Sequence, residues 1–184
     1  MIITVTGKPC SGKGAASKIL CEKYGFDYLC AGDIMRDIAE QEGYENVLDF
    51  QLNSPNVKEV DKFIDNKIAA IGKQRVKDNL LIDSRLAWHF VEKSFKVFVD
   101  VEIETACERL IAANRKHEQA TSKTHAEQLL TNRWNTENER YLELYKTNNT
   151  NKNNYDFVID STNLSPEQMA DMIYKAYQEF EKSN

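Results

Sequence analysis

Eight residues near the start of the chain, Gly7-Lys8-Pro9-Cys10-Ser11-Gly12-Lys13-Gly14, constrain its fold more than any other segment. They follow the apolar run Ile2-Ile3-Thr4-Val5-Thr6 and lead into a helix-period stretch over 12–23, so a G-x-x-x-x-G-K turn joins a strand to a helix. Glycines let such a turn curl until successive backbone N–H groups face one point, and the N-terminus of the next helix adds its partial positive charge. A turn of this kind holds an anion, phosphate above all. Gly7, Pro9, Ser11, Gly12, Gly14 and Ala15 are the candidate cradle, and Lys13 is the cation that reaches the outer phosphates of a nucleotide. The Ser or Thr that usually follows the lysine and touches magnesium is replaced by Gly14, and Ala15 comes next.

The rest of the chain alternates short β-rich runs with longer helical ones, which predicts an α/β domain. Strands are expected over 26–29, 80–82, 96–100 and 157–159, and their near-continuous apolar character suits parallel strands covered on both faces. Helices are expected over 33–42, 47–52 and 57–76. That long insertion before the third strand resembles a substrate-binding region more than a simple crossover. A second helical insertion, over 122–146, is dense in Arg, Glu and Asn. Residues 148–154 read as loop, and a closing helix starts after Ser165-Pro166-Glu167, where Ser supplies the cap and Pro suits the first turn. At 184 residues the chain has room for one domain, 1–184.

Lys and Arg total 24 against 29 for Asp and Glu, a formal charge of -5, which argues against a general polyanion binder such as a nucleic-acid scaffold. Phosphate must instead meet local clusters of positive charge. In Ala31-Gly32-Asp33-Ile34-Met35-Arg36, Gly32 permits close approach and Arg36 stands one turn into a helix capped by Asp33, a guanidinium fork suited to an acceptor phosphate. Asp83 ends the third strand, where a carboxylate can hold a magnesium-bound water, and Arg85 follows toward the same crevice. Arg109, Arg115, Arg133 and Arg140 lie on and around the second insertion, and phosphoryl transfer depends on neutralising charge spread over the equatorial oxygens. Glu137, Glu139 and Glu143 interleave with these arginines as i,i+3 and i,i+4 partners on a solvated helix face.

Cys10, Cys21, Cys30 and Cys107 form neither a metal-ligand spacing nor a disulfide framework and read as reduced thiols. His89, His117 and His125 show no metal-ligand pattern, and Trp88 and Trp134 read as packing. The first residues carry no leader signature and no apolar stretch is long enough to span a membrane, so a cytoplasmic location without membrane contact is expected.

Taken together, these residues resemble the archaeal-type cytidylate kinases within the nucleoside monophosphate kinase group. The likeness runs from the first strand and phosphate loop through Ala31 to Arg36, then Val60-Asp61-Lys62-Phe63-Ile64-Asp65 and Asp83-Ser84-Arg85-Leu86-Ala87. It continues through Arg109, Arg133 and Arg140-Tyr141 to Tyr155-Asp156-Phe157-Val158-Ile159-Asp160-Ser161. The resemblance implies a P-loop NTPase fold: a five-stranded parallel sheet with helices on both faces, an acceptor-binding insertion at about 33–76 and a short lid at about 115–146. It implies ATP with Mg2+ at Lys13 and the loop, with Arg109 on the same side, and Asp83 as an outer-shell carboxylate. Gly32, Arg36 and Arg85 would then meet the acceptor nucleotide, Asp61 and Asp65 its sugar-and-base side, and Arg115, Arg133 and Arg140 the transferring phosphate. CMP or dCMP is the acceptor so implied, and a monomer is expected. Two departures stand out: the hydroxyl missing at Gly14 and Ala15, and Trp88 where the family tends to have Gly.

Two other readings stand beside this one. One is a kinase of another small acceptor, such as a different nucleotide or dephospho-coenzyme A. The other is an ATP-binding protein that no longer transfers phosphate. The missing hydroxyls favour the last, whereas Arg36, Arg85 and the lid arginines favour an enzyme, because a pure switch needs no clamp for an acceptor phosphate.

Overall fold

The computed structural model describes residues 1–75, 78–113 and 120–183. Its strands are β1 (Ile2–Gly7), β2 (Asp27–Cys30), β3 (Leu80–Asp83), β4 (Ser94–Asp100) and β5 (Phe157–Asp160). All pair in parallel, in the order β2-β3-β1-β4-β5. The helices are α1 (Lys13–Tyr24), α2 (Ala31–Gln41), α3 (Val47–Asn53), α4 (Val57–Gln74), α5 (Ala87–Phe90), α6 (Ile103–Ala113), α7 (Lys123–Tyr145) and α8 (Pro166–Ser183).

The continuous apolar strands are explained by what covers them. Successive side chains of a strand point to opposite faces. Ile3 and Val5 of β1 therefore join Leu20 of α1 and Ile173 and Tyr177 of α8 in one core. Ile2 faces the other way and meets Ala39 of α2 with Ile64 and Ile68 of α4. Strands β3 and β4 divide in the same manner: Leu81, Val97 and Val99 go to the first core, Leu80 and Ile82 to the second. Phe98 packs with Leu86, Trp88, Tyr141 and Tyr155. Both faces are thus covered, as a parallel sheet requires.

Each expected strand is present: β2 is displaced by one residue, β1 and β5 run one residue further, β4 starts two residues earlier, and β3 is longer by one. That extra residue matters, because Asp83 becomes the last residue of β3, paired in register with Val5 on one side and Cys30 on the other. Helices α5 and α6 were not anticipated. Helix α7 is continuous over 23 residues and is capped by Ser122, whose hydroxyl accepts the His125 N–H at 3.1 Å. Its Ala126 and Leu130 pack on Ala106, Cys107 and Leu110 of α6, so this part of the expected lid is seated on the body of the protein. Helix α8 opens with a reciprocal cap: the Ser165 hydroxyl accepts the Gln168 N–H at 3.2 Å, and the Gln168 carbonyl oxygen accepts the Ser165 N–H at 2.9 Å. Trp88 is a packing residue, its indole N–H donating to Asn149 Oδ1 at 2.9 Å. Cys21, Cys30 and Cys107 are not joined in disulfides. Among the described residues no helix is long and apolar enough to cross a membrane.

With β1 in the centre, the chain leaves β3 on one side of it and re-enters as β4 on the other. In an open parallel sheet the crevice beside such a reversal, at the carboxyl ends of the strands, is where ligands bind. The phosphate loop, Asp83 and the junction of β2 with α2 at Cys30-Ala31-Gly32 all lie at that edge.

Candidate active site

The loop between β1 and α1 is shaped by contacts that admit few alternatives. A Cβ on Gly7 would stand 2.2 Å from the Val99 carbonyl oxygen of β4, so only glycine lets the two strands approach here. Cys10 and Gly12 both adopt left-handed backbone conformations, with φ of 56° and 81°, which turn the chain tightly into α1. No side chain caps the first turn of that helix, so its N–H groups are left for an anion. Arg109 of α6 staples the loop from outside. Its Nη1 donates to the Ser11 carbonyl at 3.2 Å and its Nη2 to the Ser161 carbonyl at 2.7 Å. Lys8 pairs with Asp100 at 2.7 Å.

Lys13 makes an ion pair with Asp83, and the Tyr28 hydroxyl donates to the other oxygen of that carboxylate at 3.2 Å. Burial raises the Tyr28 phenol above its usual range, with the Asp83 charge adding to the effect, so it stays protonated as a donor. A Cβ on Gly14 would stand 3.5 Å from Asp83 Oδ2. Position 14 therefore faces this carboxylate, whereas Ala15 is exposed.

A cavity of about 550 Å³ opens above this corner. Pro9, Ser11, Gly12, Lys13, Gly14, Ala15 and Arg109 line one half; Gly32, Arg36, Asp61 and Asp65 line the other. Asp83 and Arg85 follow from β3, which stands between β1 and β2, and so occupy the seam between the halves, joined there by Arg133 of α7. Most of the residues singled out by sequence thus share one chamber. Gly7 lies beneath the loop rather than on the chamber wall, and Arg115 falls outside the described residues. Arg36 is held on the surface by Asp33, one turn back on α2. Such an exposed pair is weak enough for the guanidinium to exchange it for a phosphate.

Arg140 stands apart from the chamber wall. It is 6% exposed and paired with the equally buried Asp61 of α4, because position 140 falls on the face of α7 turned toward that helix. Burial lifts the Asp61 carboxyl above its usual range despite the opposing charge of Arg140. One turn along α4, Asp65 accepts the Tyr145 hydroxyl at 2.7 Å, and burial pushes its carboxyl up to about 7.

Glu137 corrects the sequence reading that placed it on a solvated face. It is 3% exposed, and its two oxygens are divided between Arg85 Nε at 2.7 Å and Arg133 Nε at 3.2 Å. Helical spacing revealed the Arg133 contact, but nothing in it pointed to Arg85, 52 residues away. The available signal was a charge in the apolar stripe Ala126, Leu130, Tyr141.

The loop fits a nucleotide triphosphate: a curled backbone, an uncapped helix start and a lysine converge on it. Magnesium fits in a restricted way. Among the described residues no three His, Cys, Asp or Glu side chains gather as a metal cage. Magnesium keeps several waters and leans on substrate phosphates, so Asp83, paired with Lys13 beside the loop, is the carboxylate placed to orient those waters.

An open parallel sheet carrying this loop, with an arginine-lined second half to its chamber, defines a P-loop kinase. Residues 6–129 match the family model described as an AAA domain. The chain is 30% identical to the cytidylate kinase of Methanocella arvoryzae over the full length of both. It is 32% identical, over 99% of its own length, to an S-adenosylmethionine-dependent nucleotide dehydratase of Lacinutrix mariniflava, of which it spans 36%. Among solved structures, the shikimate kinase of Bacteroides thetaiotaomicron superposes with a TM-score of 0.65 over 98% of each chain at 13% identity, a likeness of fold alone. The chain belongs to the archaeal-type cytidylate kinase family of P-loop kinases.

Proposed function

We propose that this protein transfers the terminal phosphoryl group of ATP to a nucleoside monophosphate, with CMP or dCMP the favoured acceptor. The observation that carries this reading is the shared chamber: a phosphate loop with Lys13 on one side, Arg36, Asp61 and Asp65 on the other, and Arg85 and Arg133 at the seam. Donor and acceptor phosphates held by these two groups would meet where the guanidinium charge is concentrated. Positioning and charge neutralisation supply most of the catalysis in such a transfer.

The acceptor base is read at the inner end of the second half. Asp61 and Asp65 are buried there, and a carboxyl oxygen, with or without the proton on its partner oxygen, accepts from the exocyclic amino group of cytosine. Uracil and guanine offer a carbonyl at the corresponding edge. Adenine also offers an amino group, and the likeness to cytidylate kinases, at 30% identity over the full length of one of them, favours cytosine. ATP arrives with magnesium, and the protein acts as a cytoplasmic monomer.

The test is ADP release measured with ATP, magnesium and a panel of acceptors: CMP, dCMP, UMP, AMP, GMP, dephospho-coenzyme A and shikimate. The highest kcat/KM is expected with CMP or dCMP. Faster turnover of AMP would overturn the base assignment and leave the kinase class standing, while tight ATP binding without turnover on any acceptor would favour the binding-protein reading.

A further inference from the structure

We propose that Glu137 is a positioning residue for phosphoryl transfer, holding Arg85 and Arg133 at the seam of the chamber by their Nε groups. This rests on the kinase reading above. Three observations converge on it. First, the carboxylate bridges two arginines: one oxygen accepts from Arg85 and the other from Arg133, so a single buried side chain joins the segment after β3 to α7. Second, Arg85 is gripped at two points. Its Nε meets Glu137 while its Nη1 donates to the Gly7 carbonyl, which fixes the guanidinium against the first residue of the phosphate loop. Third, the Arg85 guanidinium lies over the Trp134 ring, 5.9 Å from its centroid, a further contact with α7.

The charge balance explains why a carboxylate is placed here. Two guanidinium groups at one seam repel each other, and in a water-poor cavity that repulsion is only weakly screened. One buried negative charge between them removes the repulsion and leaves a net positive charge for the phosphates. Burial by itself would raise the Glu137 carboxyl, but the charges of Arg85 and Arg133 and the Arg133 hydrogen bond overcome this and hold it down at about 2. Glu137 therefore stays ionised across any practical assay range. A guanidinium presents its donors in a rigid fork, so fixing Nε also fixes the direction of the Nη groups.

Glu137→Gln keeps the shape and one acceptor while removing the charge. With CMP and ATP its kcat should fall about 10–100-fold, while KM for ATP stays within about threefold, since the phosphate loop is untouched. Glu137→Asp keeps the charge and should recover part of that loss. The decisive measurement is a double-mutant cycle with Arg85→Lys. If Glu137 acts through the two arginines, the double variant loses clearly less than the product of the two single losses; if it only supports the fold, the losses multiply. Should Glu137→Gln fail to fold, Glu137→Asp takes its place in the cycle, and parent-like kcat in it overturns the proposal. Multiplying losses, or Glu137→Gln within threefold of the parent, overturn this inference alone. A parent chain without turnover on any nucleoside monophosphate overturns both this and the kinase reading.

Discussion

The buried ion pair between Asp61 and Arg140 ties the acceptor-side helix α4 to α7, and removing one partner should destabilise the protein far more than removing both. Asp61 is 4% exposed and Arg140 6%, so neither charge is appreciably hydrated in the folded chain. Among the described residues Arg140 Nη2 has no hydrogen-bond partner, and the nearest charge compensation for the guanidinium is this carboxylate, with Glu137 a more distant contributor. Asp61→Asn should therefore cost about 3–5 kcal/mol, the usual penalty for leaving a buried charge uncompensated. For a chain of this size each kcal/mol corresponds to about 2–4 °C in Tm, so the fall should be on the order of 10 °C. The double replacement Asp61→Leu with Arg140→Met removes both charges and fills the space with apolar atoms, and should regain most of that loss. Thermal and urea unfolding of the parent, the single and the double variants decide the matter. A single variant less than about 1 kcal/mol below the parent, or a double variant as unstable as the single, would refute the reasoning.

Lys13→Met should reduce kcat with CMP, per folded molecule, by at least about 100-fold, as steady-state kinetics with calorimetry to fix the folded fraction would show. Arg36→Ala removes one charge-assisted contact worth about 1.5–3 kcal/mol, so KM for the acceptor should rise about 10–150-fold with KM for ATP unchanged. The Asp65 carboxyl, pushed up to about 7, is protonated in the folded chain between about pH 4 and 7, where the unfolded chain has released its proton. Its contribution to stability is thus complete at low pH and lost as pH rises to 7, and Asp65→Asn should flatten that slope in urea unfolding measured from pH 4.5 to 7.5. Asp83→Asn should raise the magnesium concentration needed for half-maximal rate, read by titrating the metal against initial velocity.

How much of this was legible in the sequence depends on the range of the interaction concerned. The phosphate loop is local: glycine spacing, the preceding apolar strand and the following helix lie within 24 residues, and the structure places them as expected. Strands also read well, because burial on both faces leaves apolar runs that no solvated element would keep. Helix α6 was missed although Ala106, Cys107 and Leu110 form its buried stripe, since in a short helix between polar residues such a stripe is faint. Arg36, Arg85 and Arg133 were found as charges; Arg36 and Arg133 pair with near neighbours on their own helices, whereas the partner of Arg85 is set by long-range packing. Periodicity along α7 brings Arg133 and Glu137 together and says nothing of Asp61, which holds Arg140 from 79 residues away.

The Gly14 corner shows how a departure that reads as a defect in sequence acquires a physical context in the fold. The hydroxyl absent from position 14 would have faced Asp83, since a Cβ there stands in ordinary contact with Oδ2. That same oxygen accepts the Tyr28 hydroxyl from the neighbouring strand, while the other takes Lys13. The carboxylate is therefore satisfied and oriented without a serine or threonine. Nucleotide phosphates that draw Lys13 toward themselves would release one Asp83 oxygen just as charge accumulates nearby, leaving it to accept from the waters of the incoming metal while Tyr28 keeps the other in place. The loss of the loop hydroxyl thus leaves a coherent acceptor at this edge, and the enzyme reading is not weakened by Gly14.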